Sequence, residues 1–208
     1  MDDREYLKGL VEGILFGNIM ENGQKWQFYR ANELDLPTMT ELKGLKSLII
    51  WSSSLSPTLK DSEDASYPSW VRPVLKLIKS AYSQFPKLKI LGIQAGSHLL
   101  ATAFGGKVER KEMDETQKIL HNQAKGLLCG KDTIRIKESF YQLDYVAKVF
   151  GKFSVRLQDI NVYSVYETGL DLTLPAEGII QCVSSRSGQP IIWTLKGNSR
   201  ILGLQAHP

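Results

Sequence analysis

Residues 87–110 read KLKILGIQAGSHLLATAFGGKVER, and the reading of this stretch decides the fold. Residues 88–93 form a short apolar run with β-branched residues and one glycine, the pattern of a buried strand. A tight turn is expected at Gln94-Ala95-Gly96. Leu99, Leu100, Ala103 and Phe104 then recur at helical spacing, and Gly105-Gly106 supplies a C-terminal stop. A strand, a sharp turn and a helix, with Gly92 and Gly96 on either side of the tip, spell a nucleophile elbow. Small residues flank such a tip because the turn is strained and the two backbones crowd each other. The tip residue points into a cleft, beside the free N–H groups of the helix start. Here that residue is Gln94, and a carboxamide is no nucleophile.

Upstream of the elbow, residues 47–51 (SLIIW) read as a second buried strand leading into Ser52-Ser53-Ser54. Thr38 can cap a short helix reaching about Gly44, with Glu41 completing a capping box. Ser69 is the expected cap of the helix WVRPVLKLIKSAYSQF, whose Pro73 falls in the first turn, where a missing N–H costs little. Trp70, Val74, Leu77, Ile78 and Tyr82 give that helix an apolar stripe directed at the core. Residues 26–30 (WQFYR) read as an aromatic-rich strand, and residues 11–16 as a strand or a helix end. Successive β, α, β, α elements with strands about 40 residues apart imply parallel strands joined by crossovers. Downstream, strands are expected at 107–111, 132–137, 153–157, 161–166, 178–185, 190–195 and 200–205, with a helix at 138–150. Turns fall at Ser187-Gly188 and Gly197-Asn198.

Composition bounds the function. A chain of 208 residues with 42% apolar and 23% charged residues suits one α/β domain spanning 1–208 with a sizeable core. The net charge of +4 comes from scattered Lys and Arg, a solvated surface and not a nucleic-acid patch. Cys129 and Cys182 form no CxxC or Cys/His ligand spacing, so neither a metal site nor a disulfide framework is expected. The glycines around Gln94 do not make the GxGxxG of a dinucleotide binder, and no cofactor is expected. The acidic, polar start is not a targeting peptide, and no apolar run approaches a membrane span, so a cytosolic protein is expected.

Together the elbow and the chain's last residues resemble class I glutamine amidotransferases, and among them the stand-alone group that includes plant γ-glutamyl peptidases. That family ends a strand in G-I-C-x-G-H-Q and follows its helix with G-G-x-V. The matching text is Gly92-Ile93-Gln94-Ala95-Gly96-Ser97-His98 and Gly105-Gly106-Lys107-Val108. The family's oxyanion turn falls at Ser52-Ser53-Ser54, its Leu-Pro at Leu174-Pro175, and its Q-x-H-P-E at Gln205-Ala206-His207-Pro208. The resemblance implies a three-layer, flavodoxin-like α/β fold with a mixed, mostly parallel sheet flanked by helices. It places Gln94 at the family's nucleophile position and His207 at that of its base. Ser52, Ser53, Ala95, His98 and Glu167 fall around the oxyanion and substrate pocket.

Four departures then set the expected function. Gln94 replaces the nucleophilic cysteine, and Ser52 replaces the oxyanion glycine. Glu167-Thr168-Gly169 stands for the substrate-holding turn and lacks its acid. The carboxylate that orients the base would follow Pro208. The family's first strand has no counterpart ahead of residues 11–16, so truncation at both ends is expected. Ser97 lacks the adjacent base a substitute nucleophile needs. The expectation is a domain that keeps the fold and has lost glutaminase or γ-glutamyl hydrolase chemistry. Its partner would be a glutamine-like or γ-glutamyl small molecule in the remnant cleft, or another protein. The alternatives are residual hydrolysis by a water that His207 activates, and a regulatory subunit of an active paralogue.

Overall fold

In the computed structural model, β1 (Ser47–Ser52) and β2 (Lys89–Gln94) pair in parallel, from Ser47 opposite Lys89 to Ser52 opposite Gln94. The structure describes residues 25–52, 67–110, 115, 118–119, 127–135, 159–167, 170–183 and 189–205. Ahead of β1, α1 (Met39–Lys43) is a single turn fixed by its cap. The Glu41 N–H donates to Thr38 Oγ1 at 3.3 Å and the Thr38 N–H donates to Glu41 Oε2 at 2.7 Å, the expected capping box. The Thr38 backbone bond is the main reason the Glu41 carboxyl lies below its usual range.

Helix α2 (Val71–Gln84) links β1 to β2 and buries Val71, Val74, Leu77, Ile78 and Ala81 on one stripe. Each large member of that stripe contributes roughly 1.5–3 kcal/mol of burial. Pro73 sits in the first turn, as expected. Ser69 does not cap the helix. The N-cap is Trp70, without a side-chain bond, and the Val71 N–H donates instead to the Pro68 carbonyl at 2.9 Å. At the far end Arg200 donates to the Phe85 carbonyl at 2.9 Å and stacks over the Tyr82 ring, satisfying a helix-end carbonyl.

Helix α3 (Ala95–Ala103) follows β2 with no intervening loop and is buried along nearly its whole length. After it come β3 (Lys107–Arg110), β4 (Leu127–Arg135), β5 (Asp159–Glu167), β6 (Leu170–Thr173), β7 (Gly178–Val183), β8 (Pro190–Leu195) and β9 (Asn198–Leu204). The central sheet runs β1-β2-β9-β8-β7, parallel from β1 to β9 and antiparallel through β8 and β7. Two antiparallel pairs, β3-β6 and β4-β5, lie beside it. Leu99 and Leu100 of α3, the α2 stripe, and Ile90, Trp193 and Ile201 of the sheet form one core cluster. The mixed central sheet flanked by helices is thus the α/β fold expected.

Other elements differ from expectation. Residues 26–30 form no strand. Aromatic content favours a strand only where a neighbour offers a ladder, and no described strand pairs with this run. Instead Arg30 bonds to Glu33 and Asp35 around a 3-10 turn at Ala31–Glu33. β6 was not foreseen. β4 begins at Leu127 and β9 at Asn198, ahead of the expected starts, so the preceding turn centres on Gly197 (φ 66°). The expected elements at 11–16, 138–150 and 153–157, and the turn at Ser187-Gly188, lie outside the described residues.

Candidate functional site

The site is built where β2 passes into α3, at the carboxyl ends of parallel strands β1, β2 and β9. Gln94 has φ 53° and ψ −124°. Among the described residues only Leu34 is another non-glycine with positive φ. Such a conformation costs about 1–3 kcal/mol and persists only where its surroundings impose it, and here they do. A Cβ on Gly92 would lie 2.6 Å from the Gly96 carbonyl oxygen, and a Cβ on Gly96 would run into the Ile50 carbonyl of β1. Strand, helix and neighbouring strand therefore meet backbone to backbone, and the chain can turn between them only at Gln94.

The Gln94 side chain does not project freely from this turn. The residue is 6% exposed, and its Oε1 accepts a hydrogen bond from Trp51 Nε1 at 3.0 Å. Ser52, the last residue of β1, is paired with Gln94 across the sheet. Ala95 is buried as the first residue of α3, one peptide from the tip. Gln94, Ala95 and Ser52 are therefore together.

One turn further along α3 are two buried polar residues. Ser97 is fully buried, and its Oγ accepts from Trp193 Nε1 at 2.8 Å. That bond gives Ser97 a structural task in the core. His98 is 5% exposed beside Gln205, itself 6% exposed at the end of β9. Burial drives the His98 imidazole down to about 4, with the Gln205 side chain acting in the opposite direction. His98 Nδ1 and Gln205 Oε1 both lack a hydrogen-bond partner among the described residues. His98 is therefore a neutral ring near pH 7.

The other expected site residues are Glu167, Ser53 and His207. Glu167 ends β5, opposite Leu127 in the β4-β5 pair. Ser53 and His207 lie outside the described residues. No group of three or more potential metal ligands occurs among the described residues, and none of their helices is long and apolar enough to cross a membrane. Two participants were not among the expected site residues. Trp51, the last residue of the run read as a buried strand, is half-buried and serves the tip, while Gln205 lies against His98. The one available signal for Trp51 was its place just before Ser52, at the end of the strand expected to neighbour the elbow.

No family model matches the sequence, and no curated protein matches it. Solved structures do match. A glutamine amidotransferase from Methylobacillus flagellatus superposes with TM-score 0.62 at 17% identity, covering 95% of this chain and 63% of that one. A glutamine amidotransferase from Thermotoga maritima gives TM-score 0.62 at 16% identity, covering 95% of this chain and 69% of that one. The chain thus spans less than two thirds of the length of the first. At these identities the likeness defines the fold, which is that of the class I glutamine amidotransferases.

Proposed function

We propose that this chain is a glutamine amidotransferase-like domain whose elbow binds and does not react. The observation that carries this reading is Gln94, a carboxamide held at positive φ at the tip of a fully crowded strand-turn-helix. Thioester chemistry needs a thiolate at that tip. Cys129 lies on β4, in a separate two-stranded pair, and Cys182 lies on β7. With β9 and β8 between β7 and β2, Cys182 stands three strand spacings away, about 14 Å. Cys182 cannot take the place of the tip residue without unmaking the sheet, and Cys129 belongs to a different sheet from the tip. Ser52, Ser53, Ala95, His98 and Glu167 are on this reading the remnants of an oxyanion and substrate pocket, and His207 is its former base. The retained role is binding a glutamine-like or γ-glutamyl compound, or docking on a catalytically competent paralogue.

The test is release of ammonia and glutamate from glutamine and from γ-glutamyl peptides by the purified protein. The expected result is no release above the uncatalysed rate. Turnover that disappears in Gln94→Ala would overturn the proposal.

A further inference from the structure

We infer that the space beside the Trp51 indole is a primary-carboxamide site, and that this chain keeps it closed by filling it with its own Gln94. The inference rests on reading the elbow as a ligand-binding turn and says what that turn binds.

Three observations lead there. The tip of an elbow ordinarily presents its side chain to whatever enters the cleft, yet Gln94 is only 6% exposed. Its carboxamide oxygen meets Trp51 Nε1 at 3.0 Å. An indole N–H is a donor only, so the position in front of it recognises an acceptor, and a carboxamide oxygen is a strong neutral one. Finally, Gln94 is held at φ 53° by the contacts of Gly92 and Gly96, which fix the backbone whatever the side chain does. The amide is thus delivered to the indole by a rigid turn, as a tethered ligand would be. Tethering gives it a high effective concentration, and a free amide must first displace it.

Beyond Cβ the glutamine side chain has the atoms of acetamide. Gln94→Ala therefore leaves a void of acetamide's shape facing the Trp51 donor, and Gln94→Gly leaves that void enlarged by the missing Cβ while suiting the positive φ better. Both variants are made so that a folding defect in one does not block the test. The probe is acetamide, titrated into ¹⁵N-labelled protein, and the readout is the Trp51 indole N–H resonance, assigned by its absence in Trp51→Phe. The Trp193 indole, bonded to the buried Ser97 oxygen, reports in the same spectrum that the fold is intact.

In the glycine and alanine variants the Trp51 resonance is expected to move on loss of Gln94 and to return toward its wild-type position, saturably, with acetamide in the millimolar range. Wild type is expected to show at least tenfold weaker acetamide binding. Adding Trp51→Phe to Gln94→Gly is expected to abolish binding. The inference is overturned if acetamide leaves the Trp51 signal unmoved in a folded variant. It is equally overturned if wild type and variant respond alike. Ammonia release by wild type would instead remove the proposed loss of catalysis and leave the acetamide result standing.

Discussion

The two ends of helix α3 solve the same problem in opposite ways. At each end the backbone passes through positive φ. Beyond the C-terminal end the residue is Gly105, at φ 96°, and a Cβ placed there would meet nothing within 4 Å. At the N-terminal end the residue is Gln94, at φ 53°, between two glycines with no room for a methyl group. Glycine relieves the strain where there is space to spare. Where space is shortest the chain keeps a long polar side chain and accepts the strain. Packing explains Gly92 and Gly96, since both backbones need them. It does not explain Gln94, whose backbone conformation a glycine would adopt more easily. The difference separates what holds the elbow together from what the elbow presents.

The sharpest way to break this comparison is to put a methyl group at each kind of glycine. In Gly96→Ala the new carbon runs into the β1 backbone at Ile50, and two backbones must separate. We expect a loss of more than about 3 kcal/mol in urea denaturation. Gly105→Ala has free space and pays only for its φ, about 1 kcal/mol. Equal losses for the two would mean that conformation, and not contact, governs the elbow.

His98 gives the next largest effect, in the same buried first turns of α3. Its ordinary value is 6.5, and burial takes it to about 4 in the folded chain. As pH falls below about 6.5 the unfolded chain takes up a proton that the folded chain refuses until about pH 4. Stability is therefore complete above about pH 6.5, falls between there and pH 4, and levels off below, a total change of about 3 kcal/mol. His98→Gln is expected to flatten that part of the stability–pH curve. A slope that survives the substitution would assign the effect to other groups.

Ser97→Ala sharpens the distinction between structural and presented side chains. It strands the Trp193 indole N–H in the core, where an unpaired donor costs about 1–3 kcal/mol. The loss should appear as a lower denaturation midpoint with an unchanged Trp51 indole resonance. A shift at Trp51 would show that the two indoles belong to one network.

The elbow was legible in the sequence because backbone crowding leaves no alternative to Gly92 and Gly96, and such constraints are local. The strands 47–51 and 190–195 were legible for a related reason, since continuous apolar runs have few other fates. What failed was everything decided by a neighbour. Residues 26–30 have strand-like composition, but no described strand accepts them. Ser69 has a cap-forming side chain, but the chain enters α2 one residue later. The Trp51 bond depends on the β1-β2 register, and the His98–Gln205 contact on where β9 ends. Neither register can be read from a single strand.

The smallest effect bears most directly on the comparison. Gln94→Gly removes the strain of a positive φ, about 1–3 kcal/mol in favour of the variant. It loses the Trp51 bond, about 0.5–1.5 kcal/mol, and adds the backbone freedom of glycine to the unfolded chain, about 0.5–1 kcal/mol. Trp51 is half-buried, so water can reach part of what Gln94 leaves. These terms nearly cancel, and the urea midpoint should shift by no more than about 1 kcal/mol in either direction. A fold that does not need Gln94, yet holds its carboxamide against an indole at a strained tip, is what the proposed ligand-like place of that residue requires. A loss above about 3 kcal/mol, equal to that of Gly96→Ala, would make Gln94 part of the frame and remove the reason to assign it a ligand's place.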